Sequence, residues 1–474
     1  MKLITLFKNT TLLAICSTLS AVAAPTDNVV IIHVDDLGWR DLACMGSPVY
    51  ETPHIDVLAK SGTLFTHAYA AGSLCTPSRA CMLTGSQPSR HGVYTVVKNR
   101  GEKSEWKVIP EKNNQFLPKT YPTIGTVLTT AGIANGAVGK WHIAGAVPSN
   151  GFKEGTLGGY LGMPINYFAP FKLGFLPKDV PDGAYLPPYI RKAGVEFLDR
   201  HQKERFFLYF STYLPHDEIK NEDGATLTAP KAVVAKYTRK IAAMKKAGKD
   251  LQGHTNPVYA AMIEETDRSV GAIIDKLDQL NLRKNTLVLF ISDNGGLDKY
   301  TSQRPLRGDK CTLYEGGIRV PMIASMPGKI AAGKTSIEPV SGIDFYPTLC
   351  TFMGVKATDP KKVDGEDLTD VIFSGKSLGE RNLFWNFPSY NRPSDPARCP
   401  RSVLRRGDWK IHHRYEDNGY ELYNLKDDIG ETNDLSKHRP KILAMMLKEL
   451  EVCYDRFGAV KTLPANPEYK EGSK

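Results

Sequence analysis

The chain has 474 residues, which is enough to bury one large α/β core together with a smaller second domain. Its formal charge is +10, but the lysines and arginines are spread along the chain without long basic blocks, and this argues against nucleic-acid binding. With 41% hydrophobic and 24% charged residues and no low-complexity tract, the composition excludes a disordered or fibrous protein.

Residues 1–24 have the pattern of an export signal. Two lysines precede an apolar segment at 10–22, and the small residues 21–24 then form a cleavage site. The apolar segment is too short to span a bilayer, no later segment has the length of a transmembrane helix, and the bulky Ile15 before Cys16 argues against lipidation. The sequence therefore predicts an exported protein, periplasmic or secreted, without stable membrane insertion. A basic enzyme in that location suits an anionic substrate.

Seven cysteines follow residue 24, and no two of them form a Cys-x-x-Cys pair. This spacing excludes zinc-ribbon and thioredoxin-like sites. Six of them could form disulfides in an oxidising compartment, with Cys75 left over, although the sequence assigns no bridges. The six are Cys44, Cys81, Cys311, Cys350, Cys399 and Cys453.

A continuous apolar and β-branched run at residues 29–34 predicts a buried parallel strand, and Asp35 and Asp36 follow it directly. Open α/β sheets bind their ligands at the carboxyl ends of such strands. Adjacent carboxylates repel each other there, and a hard cation would neutralise them. The alternative is a solvated loop or a helix cap, which accounts for most Asp-Asp pairs.

A predicted strand at 63–70 leads into the stretch 74–85, which contains Cys75 and Arg79 and ends in a glycine. A helix that starts near Pro77 would put Cys75 at its N-terminus, where free N–H groups favour an anion. Arg79, one turn further, would add a cationic fork that suits a tetrahedral oxyanion. The alternative is a buried cysteine with a packing role only.

Another predicted strand, at about 133–139, leads into Lys140 and His142. Two residues apart in an extended segment, these side chains point to the same side. Alternatively, Lys140 is a surface lysine and His142 has a structural role. Residues 150–182 are rich in glycine, proline and aromatics, and we interpret them as a long loop region in which substrate specificity is encoded.

Polar side chains also follow two later strands. His216 lies beyond the apolar strand predicted at 206–210, and Asp293 and Asn294 follow the strand predicted at 286–292. The last two add oxygen ligands at a strand terminus. Together with the intervening helices, these strands predict a doubly wound sheet.

The pattern changes after residue 375, where four short strand-like pieces precede a helix at 439–454. These pieces are 383–385, 403–405, 409–412 and 421–423. They predict a small antiparallel sheet closed by the helix. We therefore predict a catalytic domain at 25–375 and a smaller C-terminal subdomain at 376–474.

Five motifs, taken in order, resemble those of the type I sulfatases, which belong to the alkaline-phosphatase superfamily. They are Asp35-Asp36-Leu37-Gly38, Cys75-Thr76-Pro77-Ser78-Arg79 followed by Leu83-Thr84-Gly85, Gly139-Lys140-Trp141-His142, Ser292-Asp293-Asn294-Gly295-Gly296 and Glu315-Gly316-Gly317-Ile318-Arg319. The resemblance covers nearly the whole chain after residue 24. It implies an alkaline-phosphatase-like α/β fold, with a doubly wound mixed sheet and a smaller C-terminal α+β domain, and sulfuric ester hydrolase activity.

The resemblance also implies a set of site residues. A maturation enzyme would convert Cys75 to formylglycine, whose hydrate is the nucleophile. One calcium ion would be bound by residue 75, Asp35, Asp36, Asp293 and Asn294. The sulfate pocket would be lined by Arg79, Lys140, His142, His216 and Lys310.

The chemistry of sulfate esters agrees with these implied roles. The ester is anionic and stable, so attack at sulfur requires neutralised charge, which a metal ion and cationic side chains supply. A geminal diol can afterwards expel sulfate by re-forming the aldehyde. Asp293 would act as base, His216 or Lys310 would protonate the leaving oxygen, and His142 would take the second hydroxyl proton.

Two positions depart from the family pattern. Asp217 and Glu218 follow His216 where small or apolar residues are common, and they either raise the pKa of the histidine or face solvent. Asp309 and Cys311 flank Lys310 where glycine is common, so the backbone around Lys310 is expected to differ from that of the family.

The sequence predicts a sulfated carbohydrate as the substrate, with general arylsulfatase activity as the alternative. A phosphodiesterase or phosphonate hydrolase of the same superfamily is less favoured, because the second set of metal ligands that paired-zinc members need is not found. A non-catalytic glycan-binding protein is disfavoured because every expected polar position is filled. Specificity is expected in residues 95–120, 150–185 and 386–401.

Overall fold

A mixed β-sheet with helices on both faces forms the centre of the protein. The computed structural model describes residues 27–96, 103–143, 145–219 and 226–471. The predicted export signal at 1–24 lies outside the described residues. Within them, no helix combines the length and the apolar character needed to cross a membrane.

Among the described residues, the central sheet has nine strands. They are β1 Asn28–Val34, β2 Thr63–Tyr69, β3 Ala134–Gly139, β4 Glu154–Thr156, β5 Phe206–Ser211, β6 Thr286–Ser292, β7 Arg319–Ser325, β8 Lys334–Ser336 and β9 Val340–Ser341. Their order is β4-β3-β5-β1-β6-β7-β2-β8, with β9 also paired to β2. The first five in this order are parallel, and β7 is antiparallel to both of its neighbours.

The helices cover both faces of this sheet and one face of a second sheet. They are α1 Pro53–Lys60, α2 Cys75–Thr84, α3 Pro88–His91, α4 Ile124–Thr130, α5 Leu186–His201, α6 Lys231–Lys246, α7 Pro257–Gln279, α8 Glu315–Ile318, α9 Phe345–Phe352, α10 Thr369–Ser374 and α11 Pro440–Phe457. Alternate residues of a strand point to opposite faces. On β1, Val30 and Ile32 therefore pack towards α5 and α7, whereas Val29 and Ile31 pack towards α2, α4 and α9.

The second sheet has four antiparallel strands in chain order, and both of its faces are covered. The strands are β10 Asn382–Phe387, β11 Arg401–Arg406, β12 Trp409–Arg414 and β13 Gly419–Asn424. Phe384 and Leu404 pack against α11, whereas Leu383, Trp385 and Val403 pack against Tyr69 of β2 and other residues of the catalytic core. The predicted fold class is therefore confirmed.

The strand β7 lies inside the sheet, although no strand is predicted there from the sequence. Proline cannot donate a ladder hydrogen bond, so Pro321 argues against a central strand. The structure accommodates it with an irregularity in β2, because Phe65 pairs with Met322 and Ala68 pairs with Val320. The partner strand thus gains one residue opposite Pro321, which is a β-bulge.

Two further features qualify the predictions. All seven cysteines within the described residues are free thiols, so none of the six candidates forms a disulfide there.

The segment 157–185 contains no helix or strand beyond an isolated bridge between Phe168 and Tyr185. It therefore has the irregular structure expected of a long loop region.

A buried ion-pair cluster connects the second sheet to the catalytic core. The Lys410 ammonium, on β12, lies 2.9 Å from a carboxylate oxygen of Glu315, on α8, and 2.9 Å from one of Glu431. All three side chains are fully buried. Burial opposes ionisation of Glu315, but Lys410 and two nearby arginines outweigh it and lower its pKa to about 2.

We predict that Lys410→Met lowers the free energy of unfolding by about 3–5 kcal/mol, because it leaves Glu315 and Glu431 buried without their shared cation. Urea unfolding followed by circular dichroism measures this loss. The matched control is Lys376→Met, which removes an ion pair with Asp370 at the surface and should cost less than about 1 kcal/mol. Equal losses in the two variants would contradict the structural role of Lys410.

Candidate functional site

Three carboxylates are buried together where β1 and β6 end. The two strands are parallel neighbours, so Asp35 and Asp36 come to lie beside Asp293 and Asn294, as the sequence predicted. The Asp36 N–H donates to Asp293 Oδ1 at 3.1 Å, and Asn294 Nδ2 donates to Asp36 Oδ1 at 2.7 Å. Each of the three aspartates is at most 2% exposed.

Two of these carboxylates are paired with buried lysines. Lys140, which follows β3, donates to Asp35 Oδ2, and Lys310 Nζ donates to Asp36 Oδ2 at 2.7 Å. Burial raises the pKa of Asp35 to about 6, although Lys140 acts in the opposite direction. Both lysines predicted for the site are therefore in direct contact with its carboxylates.

Arg79 pairs with the third carboxylate. Its Nε and Nη2 donate to Asp293 Oδ2 at 2.9 and 2.8 Å, while Nη1 donates to the Lys140 carbonyl and to Ser211 Oγ. Burial raises the pKa of Asp293, but the guanidinium outweighs this and holds it well below its usual range. Asp293 is therefore ionised and held in a fixed orientation.

Cys75 is the first residue of α2, slightly earlier than predicted, and Arg79 lies one turn into the helix. Leu74 is the extended N-cap residue and Gly85 ends the helix in a left-handed conformation. The N-terminal turn of α2 thus meets the acidic edge of the sheet with Cys75, which is 1% exposed, at the contact.

The same edge could hold a metal ion. Asp35, Asp36, Cys75 and His216 offer ligand atoms that all lie within 4.8 Å of one another. Asp35 Oδ1 and Asn294 Oδ1 are buried, and neither accepts a hydrogen bond from a described residue. Such buried oxygens are costly without a partner. Oxygen-rich donors suit a hard cation, so these residues fit calcium.

His216 and Asp293 differ from the predicted ligand set in their positions. His216, which the resemblance placed in the sulfate pocket, belongs to the group of potential metal ligands. Asp293 does not belong to that group. Both of its oxygens instead accept hydrogen bonds, from Arg79 and from the Asp36 N–H.

The surroundings of His142 and His216 shift the pKa values of the two histidines in opposite directions. Burial, followed by Lys140 and Arg79, holds the pKa of His142 well below its usual value. Its imidazole is therefore neutral, and Nδ1 is buried without a hydrogen-bond partner among the described residues. A neutral imidazole keeps one nitrogen lone pair for a proton, but burial and the neighbouring cations make this ring a weak base.

His216 is hydrogen-bonded to Lys310, with Nε2 and Nζ 2.9 Å apart. Burial and Lys310 lower the pKa of His216, but the carboxylates of Asp36 and Asp35 outweigh them and raise it above its usual value. A hydrogen bond between two nitrogens requires one of them to accept. The carboxylates beside the pair favour its protonated form, so the pair holds a proton that it can donate.

The structure distinguishes the roles of the two acidic residues after His216. Asp217 Oδ1 lies 3.0 Å from His216 Nδ1, and its other carboxylate oxygen accepts from the Tyr300 hydroxyl at 2.9 Å. Glu218 instead accepts from the Tyr167 N–H and from Thr228. Asp217 therefore acts on the histidine, whereas Glu218 supports the surrounding loops, and neither simply faces solvent.

The residues that flank Lys310 also have defined roles. Asp309 accepts from Arg398 at 2.5 Å, and Arg398 also donates to the Lys310 carbonyl at 3.0 Å. Cys311 has a φ of 75°, in the left-handed region where glycine is usually found. Sequence reasoning missed Arg398, because no local pattern connects it to a loop 88 residues away.

Comparisons with known proteins agree with this arrangement. Residues 27–355 match the sulfatase family, and residues 308–454 match the family described as N-sulphoglucosamine sulphohydrolase, C-terminal. N-acetylgalactosamine-6-sulfatase of Mus musculus is 32% identical over 77% of this chain and 70% of its own length. Arylsulfatase A of Homo sapiens is 30% identical over 96% of this chain and 87% of its own length.

A solved structure is also similar to this protein over most of both chains. Ps i-CgsB, crystallised in complex with k-i-k-neocarrahexaose, superposes with a TM-score of 0.75 at 27% sequence identity. The match covers 94% of this chain and 96% of that one.

We predict that calcium stabilises the metal-depleted protein, because it satisfies the unpaired oxygens of Asp35 and Asn294. At about 100 times its dissociation constant, a ligand of the folded state adds about 2.7 kcal/mol of stability. Thermal unfolding with and without calcium measures the effect, which should disappear in Asp35→Ala. The control is Asp364→Ala, which removes another buried carboxylate, paired with Arg90, and should keep the calcium response. A full response in Asp35→Ala would contradict the site.

Proposed function

Because this chain belongs to the sulfatase family and is a sulfuric ester hydrolase, we propose that it removes sulfate from a carbohydrate with residue 75 as the nucleophile. The observation that carries the proposal is the set of buried charges around Cys75. Carboxylates at two strand ends suit a metal ion, and cationic side chains from three other segments suit the sulfate anion. A sulfate ester needs both, because charge must be neutralised before attack at sulfur.

Two groups that the family implies complete the proposed site. Calcium, held by Asp35, Asp36, Asn294 and residue 75 with Asp293 beside them, would supply positive charge that polarises oxygen. Formylglycine, made from Cys75 by a maturation enzyme, would supply a hydrated aldehyde as the nucleophile. The contacts of Cys75 support this conversion. A thiol is a soft ligand among hard carboxylates, and an oxygen at this position suits calcium better.

The side chains around residue 75 would divide the proton transfers. Asp293, ionised and fixed by Arg79, would orient the nucleophile and accept its proton, although the low pKa of this carboxyl makes it a weak base. The His216–Lys310 pair would protonate the leaving sugar oxygen, since Asp36 beside it favours the protonated form of both side chains. Neutral His142 would take the proton of the second hydroxyl when sulfate is released. Lys140 and Arg79 would hold the charge of the sulfate group.

A carbohydrate substrate is supported by the relatives. The mouse relative is an N-acetylgalactosamine-6-sulfatase, and Ps i-CgsB binds an oligosaccharide. General arylsulfatase activity is the less favoured alternative, although arylsulfatase A is also similar. A phosphodiesterase or phosphonate hydrolase is not favoured, because the family match is to sulfatases.

Two further proposals concern the organisation of the chain. We propose that residues 1–24 direct export to the periplasm or the medium, where a sulfated polysaccharide would be met. We also propose that the catalytic domain spans 25–375 and the C-terminal subdomain spans 376–474. The second sheet, which starts at Asn382, supports this boundary.

A screen of sulfate release from defined sulfated saccharides, an aryl sulfate and a phosphodiester tests the proposed function. We expect a saccharide to be the best substrate, and Cys75→Ala to lower its turnover about a thousandfold or more, because the nucleophile is lost. The matched control is Cys81→Ala, which changes another buried cysteine of the same helix and should retain activity. Turnover of the phosphodiester at the rate of the best sulfate ester, or undiminished activity of Cys75→Ala, would contradict the proposal.

A further inference from the structure

The segment 158–162 lies directly against His142. The His142 N–H donates to the Gly159 carbonyl at 3.1 Å. A Cβ added at Gly162 would lie 2.0 Å from His142 Cε1, and one added at Gly158 would lie 2.3 Å from the Gly139 carbonyl oxygen. Neither glycine can carry a side chain without displacing its neighbours. This backbone is therefore closely fitted to the edge of the candidate site.

Tyr160, at the centre of this segment, is exposed. Its side chain is 66% accessible. Among the described residues, Phe116 is the only other aromatic side chain with a similar exposure. The Tyr160 hydroxyl makes no hydrogen bond with a described residue. The ring therefore contributes little to the packing of the protein, although the backbone on both sides of it is fixed against His142.

Such a ring is suited to bind the apolar face of a sugar. A tyrosine offers a rigid amphipathic surface with few rotatable bonds, so little conformational entropy is lost when a ligand covers it. The buried charges of the site act on the sulfate group, which is the same in every sulfate ester. Discrimination among sulfated sugars must therefore come from contacts outside that charged centre, and the residue before Tyr160, Gly159, is hydrogen-bonded to the backbone of His142.

We propose that Tyr160 forms a sugar-binding subsite, on which a pyranose ring of the substrate stacks while its sulfate group lies beside His142. The inference rests on the proposed carbohydrate sulfatase function and adds a residue that contributes to substrate choice. Tyr160 lies between Gly158, which packs against Gly139, and Gly162, which packs against the His142 ring. Tyr160 acts in binding and takes no part in proton transfer.

Steady-state kinetics on the best saccharide of the screen, together with inhibition by inorganic sulfate, test this subsite. We expect Tyr160→Ala to raise KM about tenfold with little change in kcat, because the stacking contact is lost. Tyr160→Phe keeps the ring and should stay within about twofold of wild type. The inhibition constant of sulfate should not change, since sulfate has no ring to stack.

A matched control is Ile337→Ala, which removes a side chain that is 72% exposed. Ile337 follows β8, the edge strand at the far side of the sheet from β3. The KM of this variant should equal that of wild type. Three results would overturn the subsite: an unchanged KM in Tyr160→Ala, an equal loss in Tyr160→Phe, or a parallel rise in the sulfate inhibition constant. Absence of turnover of every sulfated saccharide by the wild-type enzyme is a different result, and it would overturn the proposed function and the subsite together.

Discussion

The site depends on the burial of three carboxylates at the ends of β1 and β6. An isolated buried carboxylate is strongly unfavourable, so each one needs a cationic partner or a metal ion. The partners come from separate parts of the chain, because Lys140 follows β3, Arg79 lies on α2 and Lys310 precedes α8. The charges are balanced only when all of these segments are in place. The charges of the site are therefore balanced only in the fully assembled fold.

This balance also explains why the site is suited to an anion. Asp35 Oδ1 and Asn294 Oδ1 lack hydrogen-bond partners among the described residues, so the carboxylate layer has capacity for a cation that the lysines do not fill. If a cation binds there, the ammonium groups of Lys140 and Lys310 are no longer fully neutralised. A sulfate group is then attracted to them. A cation bound to the carboxylates would thus leave the lysine charges available to bind sulfate.

The sequence predicted the parts of the site that depend on strand ends. Asp35 and Asp293 follow apolar runs, and parallel neighbours place such residues at one edge of the sheet. Contacts made across the fold could not be predicted in this way. The sequence left open whether Asp217 faces solvent, and it gave no sign that Arg398 holds the Lys310 loop, because both contacts depend on how distant loops pack. Pro321 concealed β7, since the compensating bulge lies in another strand.

The mass of the peptide that contains residue 75, taken from purified, active enzyme, shows directly whether the cysteine has been converted. We predict an aldehyde or its hydrate at this position, with the converted fraction rising in step with specific activity across preparations. A fully active preparation in which residue 75 is an unmodified cysteine would contradict it.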